Sequence, residues 1–135
     1  MFYSIIVVLS ILPPFTVSYS IELIRCNLND GKEEYYLIHR KPAIDFNNID
    51  DEEFFNNATK ILLSENEVSD IIHIINESRV PPIMQSLVGL DGCGHSLYFF
   101  DDGGSARSSF SWWGNIPNEW YDLGKIVSIL SKYFQ

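Results

Sequence analysis

Positive charge is scarce in this sequence: nine Lys and Arg stand against eighteen Asp and Glu, a net charge of −9 with the three histidines neutral. The nine cations are scattered. That excludes nucleic acid as the expected partner, because phosphate-backbone affinity rests on grouped Lys and Arg. An acidic surface suits solubility or the capture of a basic protein. Cysteine is scarcer still, with only Cys26 and Cys93, and neither they nor His39, His73 and His95 fall at the close spacings of a zinc site. Glycine-rich phosphate loops are also missing. Gly92-Cys93-Gly94 lacks the third glycine of a dinucleotide loop and leads into a strand, and Gly103-Gly104-Ser105 is no nucleophile elbow. No cofactor and no metal is expected. The acidic run Asp45 to Glu53 has neither the glycine nor the alternating oxygen donors of a calcium loop, and Asp70, His73 and Glu77 read as the solvated face of a helix.

Charge is absent altogether between Met1 and Ile21, where an apolar run, Ile5 to Leu12, meets Pro13 and Pro14. This layout resembles a signal peptide, with Ser18 and Ser20 as the small residues before a cut at Ile21, although its first residues carry no Lys or Arg. The expectation is a leader over residues 1–20, one domain over 21–135, and a periplasmic or secreted product. A spanning helix needs about 20 apolar residues, so no stable membrane span should remain after processing. The alternative is that residues 3–12 are a buried strand of a cytoplasmic domain, since a short apolar run has no diagnostic period. On the export reading Cys26 and Cys93 should form a disulfide, worth about 4 kcal/mol through loop closure.

The rest of the chain reads as an α+β domain. Runs Ser20 to Leu28 and Glu33 to Arg40 flank Asp30-Gly31, a strong hairpin signal. A two-residue loop there pairs Cys26 with Tyr35 and Ile24 with Leu37 and sets all four on one core face. Residues 54–63 fit either a helix or a strand, with a strand over 58–63 preferred. Ser64 and Glu67 have capping-box spacing before a helix carrying Val68, Ile71, Ile72 and Ile75, which Pro81 and Pro82 end. A second hairpin joins Leu97–Phe100 to Ala106–Trp113, and Trp120, Leu123, Val127, Leu130 and Phe134 form the apolar stripe of a last helix. The expected fold is an antiparallel sheet of four or five strands with two amphipathic helices packed on one face.

Two candidate sites follow. In strand 106–113, Phe110 and Trp112 should face the core, while Arg107, Ser109, Ser111 and Trp113 face the other way. Trp113 and Arg107 beside the Asp101 and Asp102 loop make a candidate binding patch, because Trp and Arg dominate interface energetics. Packing of Trp113 at the sheet edge is the competing reading. The second site pairs Cys93 with His95, two residues apart, as a thiol nucleophile and its base.

Leu90-Asp91-Gly92, an aromatic strand, then Phe110-Ser111-Trp112-Trp113-Gly114, Pro117 and Trp120 before an amphipathic helix resemble a group of small exported bacterial proteins of unknown function. The similarity covers about the last third of the chain. It implies a fold and a bacterial origin, and no activity. Together these features point to a non-enzymatic binding, inhibitor or immunity-type protein of the bacterial envelope; the alternatives are a small thiol hydrolase using Cys93 and His95, or a structural envelope component.

Overall fold

The computed structural model describes residues 2–43, 59–78, 93–100 and 106–134. The loop residues Asp101 and Asp102 and the side chain of Arg107 lie outside the described residues, as do Pro81, Pro82 and the acidic run Asp45 to Glu53.

Six strands build one antiparallel sheet: β1 (Phe2–Leu12), β2 (Tyr19–Asn27), β3 (Glu33–Arg40), β4 (Thr59–Leu62), β5 (Gly94–Phe100) and β6 (Ala106–Trp113), in the spatial order β4-β3-β2-β1-β5-β6. The expected α+β class holds, and the described residues form six strands against the four or five expected. The additional strand is β1, the segment read as a leader. It pairs with β2 on one side and β5 on the other. Its continuous apolar run reflects burial on both faces: Val7, Leu9 and Ile11 enter one core cluster, Ile5 and Val8 another. A bulge between Ile5 and Val7 lets Ile5 and Val8 share a face despite their odd spacing. Strand β4 matches the strand expected over residues 58–63.

The β2–β3 hairpin corrects the expected register by one residue. Leu28 N–H donates to the Lys32 carbonyl at 2.8 Å, and Gly31, at φ +85°, closes a three-residue loop of Asn29, Asp30 and Gly31. Cys26 therefore lies opposite Glu34, Ile24 opposite Tyr36 and Leu23 opposite Leu37. Since side chains alternate, the slip separates residues expected together. Ile24 and Cys26 stay on one face with Ile38, while Leu37 and Tyr35 join the opposite cluster.

Helix α1 (Glu65–Glu77) starts as its sequence prescribes. Ser64 Oγ accepts from Glu67 N–H at 3.2 Å, and Glu67 Oε1 accepts from Ser64 N–H at 3.0 Å. A 3₁₀ turn (Asn118–Trp120) leads into α2 (Tyr121–Lys132), which buries Leu123, Ile126 and Leu130. Both helices cover the face carrying Val7, Leu9, Leu23, Leu37, Leu97 and Trp112, and together they form the larger core. Glu67 also joins the helices, because Tyr133 O–H donates to its Oε2 at 2.5 Å. On the second face Arg40 grips Glu22 through Nε at 2.6 Å and an Nη at 3.3 Å, both side chains buried. Breaking such a buried pair costs on the order of 3–5 kcal/mol, because it strands a charge.

The expected Cys26–Cys93 disulfide is absent; both thiols are free. Register explains it. Cys26 lies beside Tyr3, at the start of β1, whereas Gly94, the neighbour of Cys93, lies beside Leu12 at its end. Nine residues of strand separate those positions, roughly 30 Å at about 3.3 Å per residue, against a Cα separation of under about 7 Å for a disulfide. The thiols also belong to different faces, Cys26 to the second cluster and Cys93 to the helix-covered one.

Candidate functional site

The end of the sheet where β1 and β6 finish and β5 begins gathers the residues of interest. Strand β6 alternates as its sequence implies. Phe110 and Trp112 point under the helices, and Trp120 meets both edge to face, with centroids at 6.0 and 6.2 Å. Trp113 points to the other face and is half-buried. Its ring lies against Gly94, its cross-strand partner: a Cβ on Gly94 would stand 3.2 Å from the ring carbon Cζ3 and 3.8 Å from Leu12 Cβ. Glycine lets the indole lie close over the strand, and a side chain here would require the ring to give by a few tenths of an ångström. Beside it Ser96 and Ser111 share a hydrogen bond of 3.0 Å. Of the strip expected around Trp113, Ser109 and Ser111 are exposed, and the Trp113 ring lies against Gly94.

The adjacent β1–β2 loop falls in the segment expected as a leader and is not among the sequence candidates. Phe15 is fully exposed, and Leu12 and Val17 are 55% and 53% exposed. Phe15 also has φ +61°, the left-handed conformation. It follows Pro14 in a turn, where a positive φ ordinarily selects Gly or Asn. A bulky L-residue there costs about 1–2 kcal/mol. The segment Pro13-Pro14-Phe15 carried a legible turn signal, but nothing in it revealed that the aromatic would stand in solvent.

Cys93 and His95 share the helix-covered face. The His95 ring stacks on Trp112, centroids 5.2 Å apart and planes within 3°, and its buried Nδ1 has no hydrogen-bond partner among the described residues. Burial lowers the His95 pKa below 6.5, with the Cys93 backbone opposing. That combination suits a neutral packed imidazole. A base that activates a thiol needs a stable imidazolium and an orienting group on its second nitrogen. Cys26 is shielded further: burial, then the nearby Glu34 carboxylate, push its thiol up to about 11. Among the described residues no group of three or more His, Cys, Asp or Glu could hold a metal, and no helix is long and apolar enough to cross a membrane.

Comparison with known proteins adds no relative: no family model matches the chain, and neither a curated protein nor a solved structure is significantly similar to it.

Proposed function

We propose that this chain is a non-enzymatic binding protein that captures a basic partner protein, with Phe15 as its anchor and Leu12, Val17 and Trp113 as the apolar surround. The observation that carries the reading is Phe15, held in solvent at φ +61°. Strain at an exposed aromatic has no packing return among the described residues, and strained backbone concentrates at functional sites. Aromatic anchors supply most of the energy of many interfaces. The net charge of −9 favours fast encounter with a cationic protein, as an inhibitor or immunity-type protein requires.

The binding form on this reading retains residues 1–20, because Leu12, Phe15 and Val17 belong to them. Retention together with two free thiols fits a cytoplasmic location. Export with a cut before Ile21, as in a bacterial envelope protein, is the competing fate, and mass spectrometry of the N-terminus from native cells separates the two. The thiol-hydrolase alternative draws less support, since the His95 ring is stacked on Trp112 and burial lowers its pKa.

The test is Phe15→Asn. Asparagine tolerates the left-handed region, so the melting temperature should hold or rise while capture of the native partner from cell extract falls by at least about thirtyfold, the loss typical of an interface anchor. A partner retained equally by both forms refutes the assignment.

A further inference from the structure

A separate groove runs along the outer side of the helix layer, about 480 Å³ in volume, between α1 and the first turns of α2. Its floor is apolar, from Ile74 of α1, Ile116 of the preceding turn, and Gly124 and Ile129 of α2. Tyr121, Lys125 and Ser128 stand at its rim, and Lys125 is the one charged lining side chain among the described residues. This size falls within the range of about 300–1,000 Å³ common to small-molecule sites, which pair apolar walls with a few polar groups.

We propose that this groove binds a small anionic amphiphile, a medium-chain carboxylate, with its alkyl body over Gly124 and its carboxylate on Lys125. Charge decides the class. In a chain of net charge −9, the groove's lining charge is a cation. Lys125 Nζ lies 4.0 Å from an Asp122 carboxylate oxygen and 4.6 Å from the centre of the Tyr121 ring. With half its side chain exposed, that loose pairing with Asp122 is worth little and leaves the ammonium able to turn to a ligand. Tyr121 and Ser128 add hydroxyl donors that an anion can use. The groove also abuts the N-terminal turn of α2, where the helix dipole favours negative charge. Gly124 sets the depth. A Cβ there would meet Ile116 Cγ2 at 3.6 Å, an ordinary contact, so the helix accepts a side chain at this position and a long one would occupy the groove.

The probes are octanoate, octanol and octyltrimethylammonium, titrated into the isotope-labelled full chain and followed by amide chemical shifts. Octanoate should shift Ile74, Gly124 and Ile129 saturably and bind roughly tenfold tighter than octanol, the increment of one charge-assisted contact. Lys125→Met should erase that preference while leaving octanol binding unchanged, and Gly124→Leu should abolish both. Equal or tighter binding of the cationic probe overturns the proposal. So do shifts scattered away from the helices, undiminished binding to Gly124→Leu, or an octanoate preference that survives Lys125→Met. Shifts at the same residues that follow protein concentration without a probe assign the groove to a second copy of the chain, and also overturn it.

Discussion

Removing residues 1–20 should abolish the fold, because β1 lies between β2 and β5. Five of its apolar side chains, Ile5, Val7, Val8, Leu9 and Ile11, are 9% exposed or less. Burial of each is worth about 1.5–3 kcal/mol, so the strand supplies roughly 8–15 kcal/mol. That equals the whole stability of an ordinary domain, about 5–15 kcal/mol. The loss also leaves β2 and β5 with unpaired, apolar edges, which invites association. The assay compares the full chain with one starting at Ile21, by far-ultraviolet circular dichroism, urea denaturation and gel filtration. The shortened chain should show no cooperative transition and elute as aggregate. A monomer that unfolds cooperatively with a midpoint near that of the full chain would refute the central role of β1, and would make a product cut before Ile21 a viable protein.

Trp112→Ala should destabilise by about 3–5 kcal/mol, since it removes a buried ring from between His95 and Trp120, whereas Trp113→Ala, half-exposed over Gly94, should cost under about 2 kcal/mol; equal losses in thermal melts would contradict the difference in burial. Alkylation of native protein should label Cys93 before Cys26, whose thiol is buried and raised to about 11, and reductant should leave the intact mass unchanged; a mass gain of two hydrogens would reinstate the disulfide. Because burial lowers the His95 pKa, the unfolded chain takes up a proton first as pH falls: stability is complete above about 6.5 and declines as pH drops through the lower folded value. His95→Phe should keep the stack on Trp112 and flatten the urea midpoint between about pH 7 and 5; an unchanged slope would reject the assignment.

Local signals determined much of this structure. The capping box at Ser64 and Glu67, the stripe Trp120, Leu123 and Leu130, and the alternation of β6 that turns Trp112 inward and Trp113 outward are all set by residues within a turn or two of one another. Their physics is short-ranged, so the sequence carries it openly. Tertiary structure decided the rest. An apolar run without a period reads alike as a leader and as a strand buried on both faces, and it is tertiary pairing with β2 and β5 that makes this one a central strand in the structure. One residue of loop length at Asn29 to Gly31 chose which face holds Leu37, because pairing register and not composition assigns a side chain to a face. The same pairing carried Cys26 and Cys93 to opposite ends of β1. The exposure of Phe15 belongs to this second group as well: a proline turn is written in its neighbours, but whether the aromatic finds cover depends on what the fold brings near, and the fold leaves it in solvent.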